Sequence, residues 1–257
     1  MKKERTMVFA DLNSDLGESF GAYKIGEDDQ IIPLVSSVNI ACGWHAGDPL
    51  VMQKAVALAK QYGVSIGAHP GFPDLMGFGR RTMNATPAEV KAYIQYQVGA
   101  LDAFCRAAGV KLHHVKPHGA MYNMAGADIR LARAVAEAVA EIDDSLILLA
   151  LSGSEMIRAA DEIGLPSASE VFADRAYEED GSLRARSQPD AVIRDEAECA
   201  ARVLRMVTEG KVTAVTGRDI DIRADSICVH GDSPEALLFV RRIRETLKNG
   251  GVEIKPF

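Results

Sequence analysis

Ionisable and amide side chains follow short apolar runs at six places along the chain. These side chains are Asp11 with Asn13, His45, His69, Lys116 with His118, Asp174 with Arg175, and His230 with Asp232. Carboxylates, imidazoles and a lysine gathered in one site serve general acid–base catalysis, oxyanion stabilisation or metal binding. Because the carboxyl ends of parallel barrel strands meet at one face, where barrel enzymes carry their sites, the pattern indicates an enzyme.

The segment 11–21 has the highest density of polar groups, with Asp11, Asn13, Asp15 and Glu18. In an extended chain, residues 11, 13 and 15 share one face. Crowded carboxylates raise one pKa toward neutrality, which suits a general acid or base. A solvated loop with Asx turns is the alternative interpretation. The apolar strand before it favours catalysis, so all four are candidate catalytic residues.

Three histidines, His45, His69 and His118, occupy three strand ends in succession. A single histidine is more often a packing residue, but three in this arrangement predict that at least one lies in the site. Lys116 leaves its strand toward the same face. It either stabilises an oxyanion or pairs with a carboxylate, and a plain surface lysine is the alternative.

Two segments, 70–85 and 175–194, are longer than most connections and follow strand ends, so they are expected to cover the site. They carry the arginines Arg80, Arg81, Arg175 and Arg186. Arginine suits a bidentate grip on carboxylate or phosphate, although most loop arginines are only solvated. The candidate substrate-binding residues are Arg80, Arg81, Asp174, Arg175, Arg186, His230 and Asp232.

The sequence leaves a divalent metal undecided. Asp15, His45, His69 and His118 are ligand types that can converge around an ion with an open position. No H-x-x-x-H or H-x-E pairing places two of them on one element. Cys42 lies three residues before His45, which makes a thiol nucleophile a weak alternative. G-x-x-x-x-G-K-[ST], G-x-G-x-x-G and G-x-S-x-G motifs are absent.

The periodicity predicts an α/β fold, a single irregular (β/α) barrel domain over 1–257 with about seven parallel strands. Predicted strands are 7–12, 37–42, 64–68, 111–116, 145–151, 169–174 and 226–230. Predicted helices run from Asp48-Pro49 to Gly63, from the capping box at Thr86 to Gly109, and over 128–142, 154–163, 195–209 and 234–248. The stretch 211–225 is expected to form a small hairpin. A doubly wound open sheet is the rival architecture.

The composition is that of an ordinary globular protein, with 47% hydrophobic and 25% charged residues. A formal charge of −7 and a pI near 5.4 argue against nucleic acid or an anionic membrane as the partner, since both require clustered cations. Four scattered cysteines suggest free thiols in a reducing compartment. No apolar signal segment or membrane span is seen, so a cytoplasmic location is expected.

Seven motifs, in order from residue 11 to about 234, resemble the LamB/YcsF family. They are DLNSDLGESFG at 11–21, NIACGWHAGDP at 39–49, GAHPGFPD at 67–74, GFGRR at 77–81, VKPHGAMYN at 115–123, FADRAYEEDGSLRAR at 172–186 and VHGDSP at 229–234. The chain departs from the family pattern at Met121, where leucine is usual, and at Asp190 and Glu235, where glycine is usual. The last two concern local turn geometry.

The resemblance implies a barrel of the glycoside hydrolase/deacetylase type. It also implies an ATP-dependent 5-oxoprolinase activity, in which the lactam of 5-oxo-L-proline opens to L-glutamate with two other subunits as partners. The absent phosphate-binding loop is compatible with a subunit that need not carry the usual nucleotide site.

For this reaction we expect Asp11, Asp15, Glu18 or His69 to act as the base, and Lys116 and His118 to stabilise negative charge. An arginine at 80, 81, 175 or 186 is expected to hold the substrate carboxylate. Two alternatives remain: a metal-dependent deacetylase or other amide hydrolase acting alone, and a non-catalytic scaffold that channels a labile intermediate.

Overall fold

Seven parallel strands close into a barrel in the computed structural model, which describes residues 8–229 and 236–257. The described residues form ten strands in all, which in chain order are β1 (Val8–Leu16), β2 (Ser37–Ala41), β3 (Ser65–His69), β4 (Leu112–Val115), β5 (Ile147–Leu151), β6 (Ser167–Phe172), β7 (Lys211–Thr213), β8 (Asp219–Asp221), β9 (Ser226–Cys228) and β10 (Val252–Ile254). Of these, β7 and β8 make a separate hairpin and β10 adds to β1. Strands β1 to β6 pair in sequence order, and β9 pairs with both β6 and β1. The predicted closed barrel is therefore confirmed, and the open-sheet alternative is wrong.

Helices connect most of the strands and cover the outside of the barrel. They are α1 (Asp28–Ile31), α2 (Pro49–Tyr62), α3 (Pro87–Ala108), α4 (Gly119–Ala127), α5 (Ile129–Ile142), α6 (Glu155–Ile163), α7 (Glu196–Glu209) and α8 (Ala236–Asn249), with a 3₁₀ turn at Ile32–Leu34. Helix α5 packs between α3 and α6, and α7 packs on α8. None of the helices in the described ranges combines the length and apolarity that a membrane crossing requires.

Helix ends form where capping chemistry predicts them. The Asp48 side chain accepts hydrogen bonds from the backbone N–H groups of Leu50 and Val51, with Pro49 at the first helical position of α2. Thr86 and Glu89 form the predicted capping box of α3. The cap on α2 explains why Asp48 belongs to the helix rather than to the polar groups at the strand ends.

Some elements differ from the prediction. Strand β1 continues to Leu16, four residues beyond the predicted end at 12. Helix α4 and strand β10 were not predicted, and the hairpin of β7 and β8 confirms the one expected in 211–225. Asp190 has a φ of 58°, the left-handed region that glycine adopts most easily, which agrees with the glycine usual at this position. Glu235 lies outside the described residues.

The barrel interior is largely polar. The polar residues at the end of β1 therefore belong to the strand, although in the sequence they resemble a loop. Asn13 and Asp15 lie beside Ser37 and Asn39 of β2, and Asn39 lies beside Gly67 of β3. Side chains alternate along a strand, so these residues share the inner face. The alternate, outward residues are buried and apolar, and they include Leu12, Val38, Ile40, Ile66, Ala68 and Leu148. The main hydrophobic core therefore lies between the strands and the surrounding helices.

Gly67 makes room for the His114 side chain of β4, which reaches past β3 to β2. A Cβ added at Gly67 would lie 2.1 Å from Nε2 of His114 on the neighbouring strand. Without that Cβ, His114 Nε2 reaches Asn39 Oδ1 at 2.7 Å, and since an amide oxygen only accepts, the imidazole donates. A glycine in a strand here marks close approach by a neighbour rather than a turn.

We expect Gly67→Ala to lower the free energy of unfolding by about 1–3 kcal/mol, because the new methyl group must displace the buried imidazole. Urea unfolding followed by circular dichroism measures the change. Gly99→Ala is the matched control, because Gly99 lies in α3 and, among the described residues, nothing beyond its own stretch of the helix comes within 4 Å of the added Cβ. That control should gain stability, by up to about 1 kcal/mol. Equal behaviour of the two variants would contradict this account.

Candidate active site

A cavity of about 580 Å³ opens at the carboxyl ends of the barrel strands. Its floor is formed by Asp15, Glu18, His69, Lys116 and His118. Tyr122 and Phe172 line the wall, and Arg80, Arg175 and Arg186 lie on the two long loops that close over it. Both loops thus take part in the cavity, as predicted from their position after strand ends.

Lys116 is the centre of the floor. Its Nζ lies 2.9 Å from Asp15 Oδ1, 2.7 Å from Glu170 Oε1 and 3.3 Å from Cys228 Sγ. Only 2% of the side chain is exposed. Three N–H groups thus meet three partners, and the pairing interpretation of Lys116 holds rather than the surface one.

The charge of Lys116 is fixed by these neighbours. Burial by itself would lower the pKa of Lys116, but Asp15, Cys228 and Glu170 together hold that pKa well above its usual value. Burial raises the pKa of the Cys228 thiol well above normal, so it acts as a neutral partner. One ammonium group is therefore paired with two acidic side chains, Asp15 and Glu170.

Asp15 is held in place from two sides. Asn39 Nδ2 donates to Asp15 Oδ1 at 2.8 Å, next to the ammonium of Lys116, while Oδ2 lies 3.4 Å from His69 Nε2. The Asp15 side chain is 14% exposed, and that exposed part faces the cavity. An oriented carboxylate that still reaches solvent is suited to accept a proton.

Below this floor lie two further polar layers of the barrel. Asn13 donates to Ser226 Oγ at 2.7 Å and to Glu170 Oε1 at 3.1 Å, and Glu170 Oε2 accepts from the Tyr122 hydroxyl at 2.7 Å. Asp11 is deeper, where the hydroxyls of Ser36, Ser37 and Ser226 donate to it. Burial raises the pKa of Asp11 to about 6.

Three histidine rings meet beside Asp15. His118 Nδ1 lies 3.0 Å from His69 Nε2, and the His45 ring stacks on the His118 ring with centroids 3.7 Å apart. Burial, together with neighbouring histidines, holds the pKa of His45 and of His118 well below the usual value. Glu18 Oε1 lies 3.4 Å from His45 Nε2 and 3.7 Å from His118 Nδ1. Burial raises the pKa of Glu18.

This cluster has the composition of a metal centre. Glu18, His45, His69 and His118 each offer one ligand atom, and these atoms lie within 4.8 Å of one another. Within the described ranges, Glu18 Oε1 and both ring nitrogens of His45 are buried without a hydrogen bond. Glu18 thus joins the three histidines that the sequence singled out, whereas Asp15 is engaged by Lys116 and Asn39.

Residues 70–81 of the 70–85 segment, called the 70–81 loop from here on, close directly on these rings. A Cβ added at Gly79 would lie 2.8 Å from His45 Cβ and 2.9 Å from His118 Cδ2, so only glycine allows this approach. Phe78, the residue before it, has a φ of 54°, an uncommon conformation for a bulky residue. Its carbonyl oxygen lies 2.8 Å from His118 Nε2.

The four predicted arginines differ in whether their guanidinium groups border the cavity. Arg81 is bound by Asp74, away from the cavity, and Asp74 also accepts from Gly77 N–H. Arg175 is buried, and its guanidinium donates to the carbonyls of Ala191 and Arg184, so it holds its own loop together. Arg80 is exposed over the Phe78 ring and borders the cavity. Arg186 borders the cavity as well.

The structure brings together most of the predicted site. Asp15, Glu18, His45, His69, Lys116 and His118 converge, with Arg80 and Arg186 at the rim. Asp11 and Asn13 lie below the cavity, and Arg81 and Asp174 do not line it. His230 and Asp232 lie outside the described residues. Cys42 is buried with its pKa raised to about 12, which excludes a reactive thiolate.

Sequence reasoning missed Glu170 and Tyr122. Glu170 is fully buried in strand β6, and a lone carboxylate at an inward position of a predicted strand was the available signal. Tyr122 lies on α4, the helix that was not predicted, so nothing in the predicted elements pointed it at the barrel.

Comparison with known proteins shows which family the chain belongs to. A model of the LamB/YcsF family matches residues 10–257. The chain belongs to the LamB/YcsF family. It is 62% identical to the 5-oxoprolinase A subunit of Clostridium beijerinckii, covering 97% of this chain and 98% of that protein. It is 57% identical to the corresponding A subunit of Alkaliphilus metalliredigens, covering 96% and 97%.

A solved structure has the same fold. The lactam utilization protein from Thermus thermophilus superposes with a TM-score of 0.92 at 50% identity, covering 97% of this chain and 100% of that one. The family motifs that contain Asp15, His69 and Lys116 are the segments that form the cavity floor.

Lys116→Met should lower the free energy of unfolding by about 3–5 kcal/mol, because it leaves Asp15 and Glu170 buried without a cation. Urea unfolding at pH 7 measures this change. Lys91→Met is the control, since Lys91 pairs with Glu137 and Glu141 at the surface, where such a pair contributes at most about 1 kcal/mol. Adding Glu170→Gln to Lys116→Met should recover part of the loss. A Lys116→Met protein as stable as the control would show that the ion pairs are not needed.

Proposed function

We propose that this chain is the barrel subunit of an ATP-dependent 5-oxoprolinase, which opens the lactam of 5-oxo-L-proline to L-glutamate together with two partner subunits. The full-length similarity to proteins named as the A subunit of 5-oxoprolinase supports the substrate and the existence of partners. The observation that carries the proposal is Asp15, a carboxylate on the cavity floor between Lys116 and His69. The four buried free thiols are compatible with the cytoplasm as the compartment.

The chemistry explains why ATP is needed. A lactam carbonyl is a poor electrophile, so transfer of a phosphoryl group from ATP to the carbonyl oxygen would activate the ring carbon. Water then adds to that carbon, and the carbon–nitrogen bond breaks as the nitrogen takes a proton, which leaves an acyl phosphate. A second water releases the phosphate and leaves the side-chain carboxylate of glutamate. We assign the activation to the complete complex and the addition of water to this barrel.

Asp15 is the best candidate for the base that activates water. Asp11 is excluded from this role by its depth in the barrel, two polar layers below the cavity. Lys116 and Asn39 both hold Asp15 Oδ1, and Oδ2 lies 3.4 Å from His69 Nε2 at the cavity floor. Lys116 then acts by orienting Asp15, since each of its own N–H groups has a partner.

The rim suits an anionic substrate. Oxoproline carries one carboxylate, and the exposed guanidinium of Arg80 stands over Phe78 at the mouth of the cavity, with Arg186 on the opposite loop. Bidentate arginine binding would orient the ring with its carbonyl toward Asp15. The cavity of about 580 Å³ exceeds one small ring, so an activated, phosphorylated form also has room.

A metal-dependent amide hydrolase acting alone is the second candidate, and the Glu18–histidine cluster favours it. The two functions separate in one experiment. Oxoproline-dependent ATP hydrolysis and glutamate formation are measured with and without co-expressed partner subunits. Activity that requires both partners and ATP supports the 5-oxoprolinase, whereas hydrolysis of amides by the purified chain alone overturns it.

Asp15→Asn should lower glutamate formation in the reconstituted enzyme by at least about 100-fold, because the loss of a general base removes a factor of that size or more. Asp29→Asn is the control, since Asp29 is exposed and pairs with Lys54 at the surface. Unfolding curves establish that both variants fold. Wild-type activity in folded Asp15→Asn would remove Asp15 from the mechanism.

Arg80→Ala should raise the KM for oxoproline at least about tenfold with a smaller effect on kcat, since it removes an interaction with the carboxylate that binding and reaction share. Steady-state kinetics on the reconstituted enzyme measures both constants. Arg81→Lys is the matched control at the next position, because it retains the charge that Asp74 binds. A KM that rises equally in both variants would point to the loop rather than to Arg80.

A further inference from the structure

His69 and His118 each anchor one ring nitrogen on a backbone carbonyl. His69 Nδ1 lies 2.7 Å from the Lys116 carbonyl oxygen, and His118 Nε2 lies 2.8 Å from the Phe78 carbonyl oxygen. A carbonyl oxygen can only accept, so both of these ring nitrogens carry a proton. In the neutral rings the other two nitrogens, His69 Nε2 and His118 Nδ1, are therefore bare lone pairs.

Those two lone pairs face each other. The nitrogens lie 3.0 Å apart, and the Glu18 carboxylate adds an oxygen 3.7 Å from His118 Nδ1. Asp15 Oδ2 lies 3.4 Å from His69 Nε2 as well, and electron-rich atoms this close repel one another unless a cation lies among them. Buried polar atoms in proteins normally have partners, so the arrangement calls for one. The cation is either a proton shared by the rings or a metal ion.

We propose that Glu18, His69 and His118 bind one divalent ion of the zinc class at the cavity floor. Two imidazole nitrogens and one carboxylate form a ligand set of catalytic zinc sites. Tetrahedral bonds of about 2.0–2.1 Å place ligand atoms roughly 3.4 Å apart, and the two measured separations, 3.0 and 3.7 Å, bracket that length. All three residues border the cavity, so the fourth coordination position faces it.

The hydrogen bonds around the ligands support a metal over a shared proton. Metal-binding histidines usually donate their second N–H to a carbonyl or carboxylate, which fixes the ring orientation. Both His69 and His118 do so. The Lys116 and Phe78 carbonyls come from a strand end and from the 70–81 loop, so two different elements hold the ligands in register.

His45 supports the site without binding the ion. Its ring is parallel to that of His118 within 3°, at a centroid separation of 3.7 Å. An ion in the plane of the His118 ring lies outside the plane of the His45 ring, so the two cannot share it in this arrangement. His45 is fully buried behind the cavity, and its Nε2 faces Glu18 Oε1 at 3.4 Å. It is a positioning residue that packs on the His118 ring.

Metal binding to the isolated chain tests the site. The metal-free protein is titrated with Co²⁺ and with Zn²⁺, and the visible absorption of bound Co²⁺ reports its coordination. We expect one ion per chain with nitrogen–oxygen ligation, and no comparable binding of Mg²⁺, which prefers oxygen ligands. Glu18→Gln and His118→Gln should each weaken binding by more than the about 10- to 100-fold that loss of an outer-shell partner causes.

His113→Gln is the matched control, because His113 contacts His114 and Phe257 away from the cavity. It should bind the ions like the wild type, and His45→Gln should weaken binding only within the outer-shell range. No stoichiometric binding by the wild type, or unchanged binding by Glu18→Gln and His118→Gln, overturns the proposal.

A second measurement uses the wild-type chain and so does not depend on the folding of any variant. Nitrogen NMR of the histidine rings should show His69 Nε2 and His118 Nδ1 unprotonated and shifted by Zn²⁺. A proton on either atom that survives Zn²⁺ addition would overturn the metal site in favour of a shared proton. Neither measurement involves oxoproline, ATP or partner subunits, so its failure leaves the proposed 5-oxoprolinase function standing, and the reverse also holds.

Discussion

The ammonium group of Lys116 is the interaction on which the rest of the interior depends. It joins β4 to β1 through Asp15, to β6 through Glu170 and to β9 through Cys228. Four of the seven barrel strands therefore meet at one nitrogen atom. A buried cation is costly unless it is paired and hydrogen-bonded, and here two acidic groups and a thiol satisfy all of its N–H groups.

The need for hydrogen-bond partners extends from Lys116 to the polar residues deeper in the barrel. Glu170 needs donors for its second oxygen and obtains them from Tyr122, while Asn13 and Asn39 link the carboxylates to one another. In most β/α barrels the interior is filled by branched apolar side chains. Here the apolar residues are on the outer face of the strands, under the helices. One face of each strand therefore packs in the hydrophobic core, and the other face carries the polar interior.

Much of this organisation could be predicted from the sequence, for identifiable reasons. Helix caps such as Asp48 and the Thr86 capping box depend on neighbouring residues in the sequence, so they were predictable. The convergence of the histidines was predictable as well, because each follows a predicted strand and parallel barrel strands end at one face. Glu170 and Asp11 were harder, because their roles depend on which residues the barrel places opposite them. The length of β1 was underestimated since polar residues within a strand imitate a loop. Helix α4 begins at Gly119, two residues after Pro117, and no side chain caps its start, so it lacks the local signal that marks α2 and α3.

The left-handed conformation of Phe78 has a consequence for the chemistry of the floor. This residue is held in a backbone conformation that costs about 1–3 kcal/mol, and its carbonyl then fixes where the proton of His118 resides. Movement of the 70–81 loop away from the barrel would release that proton to either ring nitrogen. The position of a surface loop and the protonation pattern of a buried imidazole are therefore coupled in one equilibrium, and whatever binds the loop also acts on the ring.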